Sequence, residues 1–278
     1  MAYQGGTHGR LAVLLAALLA APAALATLPT DGELSAAEIR RRIENRDCSG
    51  AVERLKQALA KNEPEAALMG GSMYEHGVCV KRDWQRAIPL YARAVEGGQP
   101  EGAERLAAGF ADPVNGPDAA AAIWWAWRGR GFDQSECGVD GKAPADPERL
   151  VAEMGKWKPE RLAYCTYVAG VMSTISAEMR FPDLARGFAV GGDVSLRFYP
   201  ATPRFELKQT GSREYDLVGY FAVDRLRDRK RKAVTGGFEK VVGEVADRAL
   251  RRYPHPKGIP EDTLIQTTYT FGYTLHNY

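Results

Sequence analysis

The chain has 278 residues, of which 45% are hydrophobic and 26% charged, proportions that exclude a mainly disordered or collagen-like polymer. Its 37 Lys and Arg stand against 35 Asp and Glu, a formal charge of +2, so no field of the whole molecule recruits nucleic acid or an acidic membrane. At roughly 100 to 200 residues per domain, the length suggests one or two domains once a targeting segment is set aside.

The N-terminus supplies that segment. His8 and Arg10 give a short, weakly basic start, and Leu11 to Ala26 form an uncharged apolar run of 16 residues. The run ends in Ala24-Leu25-Ala26, the small-x-small pattern ahead of a signal-peptidase cut. Residues 1–26 are therefore expected to be a cleavable signal peptide, with Thr27 first in the mature chain. The run is short of the ~20 residues a helix needs to cross a hydrocarbon core, and no later stretch reads as a span. Export places Cys48, Cys79, Cys137 and Cys165 in an oxidising compartment, where an even set favours structural bridges; three pairings are open.

From Cys48 onward the pattern is helical, and it repeats. Pro64-Glu65-Ala66-Ala67 returns 36 residues later as Pro100-Glu101-Gly102-Ala103, and the segment opened by Asp83 returns 35 residues later at Asp118. Each unit has a first helix with small residues (Ala67, Gly70 and Gly71; then Ala103, Ala107 and Ala108) where a second helix must come close. Asp83 and Asp118 suit the N-cap of that second helix, their carboxylates accepting from orphan backbone N–H groups. Gly97-Gly98 ends the helix that Asp83 begins. Units of this length are helical hairpins that bury their apolar faces by stacking, which makes a short solenoid.

The stretch Glu65 to Leu106 resembles a Sel1-like repeat, a tetratricopeptide-related hairpin. Gly71, Met73, Tyr74, Gly77, Val80, Asp83, Trp84, Ala87, Tyr91, Ala94 and Gly97 fill that family's places. A degraded second unit runs from Glu101 to about Gly131, with Ala111-Asp112-Pro113-Val114 replacing the Gly-rich loop, and Cys48 to Asn62 reads as a helix capping the first repeat. The resemblance implies a protein-binding scaffold over residues 27–130 and no chemistry. In such a hairpin Cys48 opens one helix and Cys79 follows the next, antiparallel one, so both come to the same end and are expected to pair. Cys137 and Cys165 then pair by elimination, tying a connector over residues 131–180 to the helix Pro159 to Met179. There is no C-x-x-C, so the four cysteines are expected to be structural.

Near Phe181 the character changes. Phe181 to Arg186 opens a short helix, Gly191-Gly192 is expected to turn, and Val194, Leu196 and Phe198 alternate with polar residues as a half-buried strand. Phe205 to Lys208 suggests a second strand. Phe238 to Arg252 is amphipathic, with Val241, Val242, Val245 and Leu250 on its apolar side. Ile265, Thr267, Tyr269, Phe271, Tyr273 and Leu275 share one face of a last strand. The fold class is therefore α+β: an N-terminal α-helical solenoid of Sel1-like repeats, then a small α+β domain over residues 181–278 with an antiparallel sheet and two helices.

Phe181, Pro182, Ala185, Arg186, Gly192 and Val194 keep the residue types and spacing that open the C-terminal domain of TonB-type energy transducers, which this module resembles. Ala249 to Pro254 followed by a strand with Tyr269 and Phe271 is similar to the close of that domain. Pro200-Ala201-Thr202-Pro203 departs from the family's Gly hairpin, and Arg213 to Gly237 looks like an insertion. The resemblance implies capture of an extended peptide beside the sheet by strand addition. There is no long Pro-rich spacer of the kind an energy transducer uses.

Three further features are weighed. Trp124, Trp125 and Trp127 are expected to serve mostly the core. The basic run around Arg225, with Arg227, Arg229, Lys230, Arg231 and Lys232, could meet anionic groups, but Asp224 and Asp228 interrupt it and a solvated face is the plainer reading. His76, His255 and His276 have no metal-site spacing, and no nucleophile elbow or P-loop occurs. The expectation is a periplasmic, non-catalytic protein without cofactor or metal, binding envelope proteins or extended peptides and not nucleic acid. An energy transducer and a β-lactam-binding envelope hydrolase are the alternatives.

Overall fold

The structure, a computed structural model, describes residues 29–187, 190–214 and 237–272. The expected signal peptide, the basic residues Arg227, Arg229, Lys230 and Arg231, and Tyr273 and Leu275 lie outside the described residues.

The first half is a stack of paired helices: α1 (Asp31–Glu44) with α2 (Cys48–Ala60), α3 (Pro64–His76) with α4 (Trp84–Glu96), and α5 (Glu101–Ala111) with α6 (Ala119–Ala126). Caps set their starts. The Asp83 carboxylate accepts from the Arg86 N–H at 3.1 Å and that of Asp118 from the Ala121 N–H at 2.9 Å, as their positions in the repeat predict. Helix α1, which the repeat pattern does not announce, opens with a reciprocal capping box between Thr30 and Glu33. It supplies α2 with a partner, so the helix at Cys48 belongs to a pair of its own.

Small residues allow close approach. A Cβ on Gly71 would lie 2.5 Å from the Tyr91 ring, and one on Gly109 would collide with the Trp84 indole. Gly97 follows the last turn of α4, and Gly98 takes a left-handed φ of 87°. The two disulfides are Cys48–Cys79 and Cys137–Cys165, the expected pairs, with Cα separations of 4.9 and 5.4 Å. They point to an oxidising, extracytoplasmic compartment.

After α7 (Pro147–Met154) comes α8 (Pro159–Glu178), which is buried on nearly every side from Tyr164 to Ala177. It lies against α5 and α6 on one side and against α10 (Gly237–Arg252) on the other, so one apolar core runs from the helices into the sheet. No helix among the described residues is long and apolar enough to cross a membrane.

The short α9 (Asp183–Gly187) leads into β1 (Val190–Tyr199), the middle strand of an antiparallel sheet ordered β2-β1-β3, with β2 at Arg204–Glu214 and β3 at Ile265–Phe271. Gly191 and Gly192 do not turn. They lie within β1, where Gly191 is opposite Arg213 and Gly192 is opposite both Ser212 and Phe271; pairing of both with β2, and of Gly192 with β3 as well, holds extended a dipeptide that alone favours a bend. The turn falls instead at Pro200 to Pro203. Strand β2 continues six residues past the expected Lys208, because β1 offers it a template to Val190. On α10 the buried face is Phe238, Val242, Val245, Ala246, Ala249 and Leu250, whereas Val241 is only half-buried at its margin.

The end of α10 is fastened to the repeat helices by two consecutive residues. Arg252 Nε meets Asp112 Oδ2 at 2.7 Å, and its guanidinium also reaches Glu75 at 3.4 Å and Glu178 at 3.9 Å. Glu75, 3% exposed, in turn accepts from the Tyr91 hydroxyl at 2.6 Å. The Tyr253 hydroxyl donates to the Ala108 carbonyl at 3.0 Å and lies 2.7 Å from Thr174 Oγ1.

Arg252→Ala strands two buried carboxylates and is expected to cost about 3–5 kcal/mol in urea unfolding. Replacing Cys137 and Cys165 together by Ser is expected to cost about 3 kcal/mol in the same measurement, since the loop they close becomes free in the unfolded chain.

Candidate functional site: a groove along the sheet edge

Strand β3 is hydrogen-bonded to β1 on one side, and among the described residues nothing pairs with its other side. A groove of about 460 Å³ follows that open side. Residues 267–272 form one wall; Glu104 from α5, Arg130 and Gly131 after α6, Ser176 and Met179 from the end of α8, and Phe181 and Arg186 at α9 form the rest. The site therefore draws on both the repeat helices and the sheet.

Its floor is polar. Glu104 is 1% exposed and takes three hydrogen bonds from Arg130: from the backbone N–H at 3.1 Å, Nε at 3.0 Å and Nη2 at 3.3 Å. Burial pushes the Glu104 carboxyl above its usual range, and Arg130 pulls it partly back. The Arg130 side chain remains 63% exposed and faces the groove. The Tyr269 hydroxyl is buried near Ser176 without a hydrogen bond of good geometry, and burial pushes it up as well. Toward the end of β3 the surroundings turn apolar: the Phe271 ring centroid lies 5.8 Å from Phe181 and 4.7 Å from Phe238.

The residues singled out from sequence divide accordingly. The repeat-motif residues are architectural: Trp84, Ala87, Tyr91 and Ala94 are buried, Gly71 faces the Tyr91 ring, Gly77 closes α3 at a φ of 69°, Asp83 caps α4, Gly97 abuts Pro64, and Tyr74 is half-buried under Arg86. Of the TonB-like set, Ala185 and Val194 are buried and Gly192 lies in the middle strand; Pro182 stands beside Gly237, and Arg186 lines the groove, donating to the Phe181 carbonyl at 3.1 Å. Trp124, Trp125 and Trp127 are half-buried against the core, and Trp127 Nε1 donates to the Cys137 carbonyl at 3.1 Å. All four cysteines are bridged. His255 is 3.0 Å from the Pro200 carbonyl and His76 is 3.7 Å from Glu75; among the described residues no His, Cys, Asp or Glu group is arranged to hold a metal.

Glu104, Arg130 and Ser176 are the groove residues that sequence reasoning passed over. The signal for Glu104 was present: it shares a helical face with Ala107, Ala108 and Ala111, so it is a charge on the side that must be buried. Nothing in the sequence connects it with β3, which is more than 160 residues away. Comparison of the chain with known protein families, curated proteins and solved structures gives no match.

Because the folded state raises the Glu104 pKa, the native protein binds more protons than the unfolded chain between the ordinary value of 4.5 and the raised one. Stability from this group therefore falls as pH rises through that window. Subtracting the denaturation midpoints of Glu104→Gln from those of the unaltered protein between about pH 4 and 7 should give a difference that declines with pH.

Proposed function

We propose that the protein is a periplasmic, non-catalytic binding protein that captures an extended segment of an envelope protein by adding it as a strand to β3. The observation that carries this reading is that, among the described residues, the side of β3 away from β1 pairs with no strand and runs along a groove. A row of backbone donors and acceptors gives affinity for an extended chain, and the groove walls give it side-chain contacts. The likeness of residues 181–194 to the opening of the TonB C-terminal domain, and of Glu65 to Leu106 to a Sel1-like repeat, supports a role in association. The two disulfides agree with the compartment.

The repeat helices act here as the second wall of the groove, through Glu104, Arg130 and Ser176. A segment lying against β3 would thus contact both regions at once.

A photoreactive amino acid placed at Thr268 or Thr270, exposed positions on β3, should crosslink to periplasmic proteins in living cells, and the same residue at exposed Glu53 on α2 should not. Crosslinks confined to the α2 position would move the binding surface to the repeat helices and overturn the assignment.

A further inference from the structure

We infer that the segment captured at β3 carries an apolar residue and, two positions away from it, an Asp or Glu side chain held by Arg130. This specificity rests on the strand-addition reading.

A strand added beside β3 lies about 4.8 Å from it, with alternate side chains on the same face of the sheet as Thr267, Tyr269 and Phe271. Two neighbouring inward positions of that strand therefore meet two different surroundings. Next to Phe271 the groove wall is the half-buried Phe181 ring, 5.8 Å from it and edge-on, an apolar surface suited to an apolar side chain. Next to Tyr269 are Ser176, Glu104 and Arg130, which require a polar one. The two-residue spacing holds whether the added strand runs parallel or antiparallel to β3.

The chemistry of the polar position follows from how Arg130 is held. A guanidinium has five N–H donors, and Glu104 occupies the one on Nε and one on Nη2. The remaining three are on a side chain that is 63% exposed, so its outer side is offered to the groove while its inner side is fixed by a buried carboxylate. Since Glu104 and Arg130 nearly cancel at a distance, selectivity comes from short-range donor geometry, which suits a carboxylate best, an amide less well and an ammonium not at all. The Tyr269 hydroxyl, buried without a good partner, and the Ser176 hydroxyl lie beside the same position.

The test is selection of random octapeptides, displayed on phage, against the full chain, followed by titration with the best synthetic peptide. Enriched peptides should share an apolar residue two positions from Asp or Glu. Changing that acid to Gln should weaken binding roughly tenfold, and to Lys further. On a protein carrying Glu104→Gln and Arg130→Gln together, which leaves no buried charge behind, the acid-to-Gln change should matter less than about twofold. Should that double variant not fold, the peptide series on the unaltered protein decides alone. Enrichment without acid, or an acid-to-Gln change without effect, overturns the carboxylate preference. In that case peptides N-methylated at alternate residues decide the underlying reading: loss of binding keeps strand addition, and unchanged binding removes it. A selection that yields no binder overturns both.

Discussion

The fastening of α10 onto the repeat helices is the constraint on which the rest of the molecule depends. Arg252 answers two carboxylates that have little access to water, Asp112 and Glu75, and the next residue, Tyr253, puts its hydroxyl on the Ala108 carbonyl. A charge in such surroundings is tolerated only when paired, so the pair contributes orientation more than net energy. Gly170 on α8 leaves the room this contact needs: a Cβ there would press on both Ala111 and the Tyr253 ring. With α10 fixed at its end and lying on α8, the sheet that packs on α10 has a set position relative to α5 and α6.

The groove is a consequence of that placement. Its carboxylate and guanidinium come from the helical half and its backbone edge from the last strand, so neither half builds it alone. An edge strand left open to solvent invites indiscriminate pairing, and proteins restrain such edges with charge, bulges or cover. Here the groove walls narrow the approach to β3, and the Glu104–Arg130 pair stands among them.

Much of the architecture was legible in the chain because it rests on local rules. The 35- to 36-residue period, the Asp caps at 83 and 118 and the glycines at 71 and 97 each act within a hairpin, and the bridge between Cys48 and Cys79 follows from the antiparallel path of two neighbouring helices. Where the reading erred, a distant partner outweighed local preference. Gly191-Gly192 is a turn by composition and a strand segment because both residues pair with β2 and Gly192 also with β3. Val241 fits the apolar stripe of α10 yet stands at its rim, because Ala246 and Ala249 let the helix settle on its other side. Helix α1 has a weak apolar stripe, and its one local signature is the capping box of Thr30 and Glu33.

The sequence by itself determined the two helical hairpins from Pro64 to Ala126, the α+β fold class, the cysteine partners and the alternation that marks β1 and β3 as strands, since each depends on periodicity or on residues a turn or a hairpin apart. Only the tertiary structure decided that Glu104 is buried, that Arg130 covers it, and that both line a groove with the residues of β3. The physical reason is one of range. Caps, turns and amphipathic faces are written into neighbouring residues, whereas a groove exists only where elements far apart in the chain are brought together by a shared core and by a buried charge that must find its counterion.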